Sequence, residues 1–143
     1  MSLAGSQVSA GFGRGSAMGR AAEAMLRALG GGEVALRFTV LLADATSSGN
    51  ARLATATPTS EDVVLAPVVV RTLDARGERA EVEFVIPASV LAPIVEQRQA
   101  VNAEALFRSA AGIVHQEKLF RITNVSSDFY GGAAYLYRVS ACE

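Results

Sequence analysis

Apolar and polar positions alternate along much of this chain. Val34, Leu36, Phe38, Val40 and Leu42 alternate with Ala35, Arg37, Thr39 and Leu41, a period of two rich in β-branched and aromatic residues that predicts a first strand. Val63, Val64, Leu65, Ala66, Val68, Val69 and Val70 form a nearly continuous apolar run, which predicts a strand covered on both faces. Pro67 removes one ladder donor from it and calls for an edge position or a bulge. Ala80, Val82, Phe84 and Ile86 alternate with Glu81, Glu83 and Val85, and a turn at Asp74 to Arg79, with Gly77 inside it, joins the two runs as a hairpin. Ile113 and Val114, a polar turn from His115 to Lys118, and Leu119 to Val125 predict another hairpin, and Gly131-Gly132 precedes a last strand from Ala134 to Ala141.

Three stretches show helical spacing instead. From Ala17 to about Leu29, the residues Met18, Ala22, Met25, Leu26 and Leu29 recur along one face, Glu23 and Arg27 form an i,i+4 pair, and Gly30 to Gly32 supply a stop. The stripe suits packing on its own domain or on a neighbouring subunit, and sequence alone does not decide between them. After Pro87, Ala88 to Gln97 reads as a short helix interrupted by Pro93, whose ring and missing N–H disfavour a helix interior. Asn102 is placed to cap another, with Ala105, Leu106, Ser109 and Ala110 along one side and Gly112 as its stop. Between the first two strands, Ala43 to Glu61 turns polar and small. It predicts a protruding loop, functional or simply tolerated, within which Arg52 to Thr57 could add a short strand.

The expected architecture is α+β and mainly antiparallel β: a small barrel or sandwich of about five to six strands with short helices and an N-terminal amphipathic helix, because short turns and not regular crossover helices separate most strands. A length of 143 residues, half of them hydrophobic, fits one domain. Residues 1–16 are rich in Gly and Ser and poor in bulky side chains that could offset ordering entropy, so they read as a flexible arm ahead of a globular domain at 17–143.

Charge and hydropathy narrow the function. With 13 Lys and Arg against 14 Asp and Glu, there is no net positive field to hold nucleic acid or an anionic membrane, and neither is an expected partner. The mean hydropathy is +0.29, yet no apolar run reaches the ~18 residues of a membrane span. The apolar surplus, though largely alanine, is expected to cover an interface between copies of the chain. Cys142 is the one cysteine, so neither an intramolecular disulfide nor a paired-thiol zinc site can form, and with no signal-peptide pattern at the N-terminus a cytoplasmic location is expected.

No catalytic constellation stands out, and no catalytic, cofactor-binding or metal-binding residue and no cofactor is expected. His115, the one histidine, falls in a polar turn without the second imidazole or thiol of a common zinc site, and reads as a surface residue. There is no Gly-x-Ser-x-Gly elbow. Gly11, Gly13, Gly15 and Gly19 lack the lysine and the preceding strand of a phosphate loop. Glu81 and Glu83 share one outward strand face, which keeps that face wet. Arg37, Arg71, Arg121 and Arg138 lie in or beside strands, suited to discourage edge pairing or to reach partner carboxylates. Tyr130, Tyr135 and Tyr137 cluster near the last strand and suit a core edge or an interface.

The C-terminal half, "ALFRSAAGIVHQEKLFRITNVSSDFYGGAAYLYRVSA", places a short helix ending at Gly112, a turn, the strand "LFRITNV" at Leu119 to Val125, a Gly-containing turn and the strand "YLYRV" at Tyr135 to Val139. In this order of features, and in "EDVVLAPVVVR" at Glu61 to Arg71, the chain resembles the small head-to-tail connector and head-closure (neck) proteins of long-tailed phages and prophages. The resemblance covers about half of the chain and carries no functional residue across. It implies a ring-forming structural adaptor of the neck or tail end, a non-enzyme whose partners are itself and other neck or tail proteins. A small-ligand binding barrel and a hydrolase using His115 are the competing expectations.

Overall fold

The computed structural model describes residues 17–41, 58–74 and 80–143. The expected arm at 1–16, the body of the loop that follows the first strand, and the turn at 75–79 lie outside the described residues. The elements run α1 (Ala17–Ala28), β1 (Gly32–Leu41), β2 (Pro58–Asp74), β3 (Glu81–Pro87), α2 (Ala88–Gln97), α3 (Ala103–Ser109), β4 (Gly112–His115), β5 (Lys118–Tyr130) and β6 (Ala133–Cys142).

All strand pairings are antiparallel, and the six strands close into a barrel in the order β1-β2-β3-β6-β5-β4. Two long strands turn the corners. β2 pairs with β1 from Pro58 to Val68 and with β3 from Val69 to Asp74. β5 pairs with β4 from Lys118 to Phe120 and with β6 from Arg121 onward. The register of β2 on β1 shifts between Leu65 and Val68, bracketing Pro67, where the absent N–H costs no ladder bond. The bulge reading holds, and because pairing with β3 begins only at Val69, the β3-facing side of Pro67 meets no described strand either. β2 begins at Pro58, inside the stretch expected to be loop, and β5 runs five residues past the expected Val125 to Tyr130.

Large side chains fill the barrel. Leu36, Leu65, Phe84, Ile86, Ile113 and Val139 are almost fully buried, and Leu91 and Ile94 of α2 with Leu106 and Phe107 of α3 join the same core. Helix α1 lies outside the barrel, where Ala22 and Leu26 cover Val85 and Leu136, with Val69 and Tyr135 beside them. It therefore packs on its own domain, and burying a leucine such as Leu26 contributes about 1.5–3 kcal/mol. Its contact face is narrower than the apolar stripe, since Met25 and Leu29 stay exposed. It ends in a Schellman cap: Gly30, at φ 83°, donates to the Arg27 carbonyl and Gly31 to that of Leu26.

Three local expectations change. Helix α2 is continuous through Pro93, which is exposed, so its ring and its lost hydrogen bond fall on the solvent side. Asn102 does cap α3, accepting from the Ala105 N–H at 2.8 Å, but the helix ends at Ser109 and Gly112 opens β4. There a Cβ would collide with the Phe120 carbonyl oxygen, so Gly112 permits a close strand approach instead of stopping a helix. Coverage of β2 on both faces holds only past Pro67, because Val64 is 61% exposed.

Candidate binding groove

Among the described residues, one place where strand lengths differ opens a gap in the barrel wall. β4 has four residues and β5 has thirteen. Beyond Phe120, no strand among the described residues pairs with the side of β5 that faces β4. Helix α3, which leads into β4, stands beside this unpaired edge. Asn102 fixes its start, and Leu106 and Phe107 anchor it in the core, with the Phe107 ring 6.2 Å from that of Tyr137.

Between α3 and β5 lies a groove of about 480 Å³, lined from the helix by Glu104, Phe107 and Arg108 and from the strand by every residue from Arg121 to Val125. Arg108 is highly exposed and only 3.9 Å from Glu104, while Arg121 has no ion-pair partner among the described residues. The lining thus carries two guanidinium groups against one carboxylate. Thr123 is committed to the barrel, donating to the Ser140 carbonyl at 3.1 Å, at a register shift between Ile122 and Asn124. Burial, and secondarily the Glu104 charge, raise the Tyr137 pKa above its ordinary value, which keeps the phenol neutral behind the groove.

The other three strand arginines hold carboxylates. Arg37 lies directly opposite Asp62 and forks onto both of its oxygens at 2.8 and 3.0 Å. Arg71 meets Glu83 at 3.3 Å and Arg138 meets Asp128 at 3.1 Å. Glu83 is thereby engaged across the sheet, while Glu81 is exposed. Tyr137 joins the main core, Tyr135 packs with the cluster under α1, and Tyr130 is exposed. Gly19 is buried in α1, and Gly11, Gly13 and Gly15 lie outside the described residues.

His115 is not a turn residue. It is the last residue of β4, half-buried, with its ring 6.0 Å from Phe84 edge-on and 6.4 Å from Phe120. Ile113 points inward, and alternation brings His115 to the same face. The turn itself is Gln116-Glu117, both at positive φ. Among the described residues, no three His, Cys, Asp or Glu side chains come together to hold a metal ion, and no helix is long and apolar enough to cross a membrane.

Sequence reasoning placed Arg121 in a strand but missed the groove. The groove depends on where β4 stops pairing, and neither apolar periodicity nor any short motif marks that point. In comparisons of the chain with protein families, curated proteins and solved structures, nothing matches.

Proposed function

We propose that this chain is a structural adaptor that works by joining protein subunits, of the kind found at the head-tail neck or tail end of long-tailed phages and prophage-derived particles. One observation carries the joining role: an apolar row on the outside of the barrel. Val64, Ala35, Val114 and Leu119 are direct neighbours across β2, β1, β4 and β5. Val64 and Leu119 are 61% and 40% exposed, and no described helix lies over them as α1 lies over Val85. Exposed apolar residues in a contiguous row mark surfaces that meet another protein. The packed interior supports the same reading over a ligand-holding barrel, since side chains occupy the space a ligand would need. The neck assignment rests on the order of elements and the segments that resemble neck proteins.

Light scattering on the full chain at several concentrations tests the joining role. The expected result is a mass that is a multiple of 14.9 kDa and that falls in a Val64→Lys, Leu119→Lys double variant with unchanged secondary structure. A strict monomer at every concentration, alone and with neck-protein partners, overturns the proposal.

A further inference from the structure

We infer that the groove between α3 and β5 receives an extended, carboxylate-bearing segment of a partner protein, which adds to the barrel as a short strand on the free edge of β5. The inference deepens the adaptor reading and rests on it, by naming one joining site and the chemistry of what enters it.

Three observations carry it. First, β5 has a regular unpaired edge. Its ladder with β6 keeps one register from Asn124 to Asp128, between shifts at Ile122/Asn124 and Asp128/Phe129. Backbone groups on the other side of those five residues meet no described strand, and such an edge is a template for strand addition. The shift at Thr123 blunts the edge toward Arg121 and so confines a regular ladder to Asn124–Asp128. Second, the size fits. A strand residue fills about 160 Å³ given a ~3.3 Å rise, ~4.8 Å strand spacing and ~10 Å sheet spacing, so a 480 Å³ groove holds about three residues, the leading part of such a segment. Third, the charge selects the partner. Arg108 and Arg121 flank the groove against Glu104 alone, and a guanidinium fork without a partner is a carboxylate receptor. Ser126 and Ser127 follow along the edge, so the rest of the segment meets small polar neighbours.

The probe is a blocked peptide, acetyl-Glu-Val-Thr-Val-Thr-Val-Glu-amide, whose acids at both ends serve either strand direction. Two controls accompany it: the same peptide with Lys for Glu, and one N-methylated at alternate residues, which keeps its charge but cannot pair as a strand. The expected result is amide shift changes and slowed hydrogen exchange within residues 121–128, with binding weakened about tenfold for the Lys and N-methyl peptides. Arg121→Ala should weaken the acidic peptide about fivefold or more while the other amide shifts, reporting the fold, stay in place. Equal binding of the N-methyl peptide, equal binding of the Lys peptide, perturbation confined to other surfaces, or no response at about 1 mM peptide would each overturn the proposal. Self-association is read separately by light scattering. An assembling protein that ignores the acidic peptide overturns the groove and leaves the adaptor reading standing. A protein that stays monomeric on its own yet binds it at β5 supports the groove and overturns self-association alone.

Discussion

Phe84 is fully buried at the centre of the barrel, with its ring edge-on to Phe120 at 5.8 Å, and Glu83 beside it points outward to Arg71. Phe84→Ala should cost about 3–5 kcal/mol in a denaturant titration, and Glu83→Ala no more than about 1 kcal/mol, because the Arg71 end of that pair is in water. Equal losses would mean the strand register is wrong. His115 is half-buried and packs against Phe84 and Phe120. His115→Ala should therefore cost about 1 kcal/mol, more than the ±0.5 kcal/mol of an ordinary surface change, since it removes the ring that closes over Phe84 and Phe120. Asp62 shows a charge effect. The hydrogen bonds from Arg37 hold its carboxyl below the ordinary 3.8, so the stability it contributes is present above that value and disappears as pH falls through the lowered one. Stability compared at about pH 6 and pH 3 should fall less in Asp62→Asn than in the parent, and an equal fall would mean the pair does not survive in solution.

Element by element, short-range chemistry succeeded where a local bond sets the boundary. The Asn102 cap on α3 and the glycines ending α1 were legible because each satisfies the orphan backbone groups of a single helix end. Pro93 misled because helix propensity is a weak prior once Leu91 and Ile94 are anchored in the barrel core. The β4–β5 hairpin turns on Gln116 and Glu117 at φ 50° and 66°, a two-residue turn for which Asn-Gly is the favoured pair. Replacing Gln116-Glu117 by Asn-Gly should raise stability by about 1 kcal/mol or more, because side chains in left-handed backbone cost about 1–2 kcal/mol each. Thermal unfolding checks this, and a lower melting temperature would show that one of the two side chains makes a compensating contact.

For the molecule as a whole, the connection between β1 and β2 separates fold from assembly. Leu41 and Pro58 are direct ladder partners, so the chain ends on either side of it already stand about 5 Å apart. Replacing Thr46 to Ala56 with a short Gly-Ser linker should therefore leave the melting temperature nearly unchanged, since closure entropy varies slowly with loop length. Extending the replacement to Ser60 should lower it, because that removes the rungs Leu41↔Pro58, Val40↔Thr59 and Thr39↔Ser60 and the Thr59 hydroxyl bond to Val40. If the segment reaches a neighbouring subunit, the shorter replacement folds normally and fails to join, which co-sedimentation with partner rings would reveal.

The β-rich class, the hairpins and most of the inward face follow from the residue pattern alone. Strand alternation is a period-two signal carried by neighbouring residues such as Val34, Leu36 and Phe38, and it survives whatever the strand pairs with. Which outward residues are covered and which pairings stop short depends on contacts between elements far apart in the chain. Val85 and Val64 are both outward valines in strands, yet α1 buries the first and leaves the second exposed. Arg71 and Arg121 both lie on strands, yet among the described residues only Arg71 meets a carboxylate, because its neighbour across the sheet is Glu83. The groove arises where β4 ends while β5 continues, and that difference in length becomes a site only when barrel closure sets α3 across the gap.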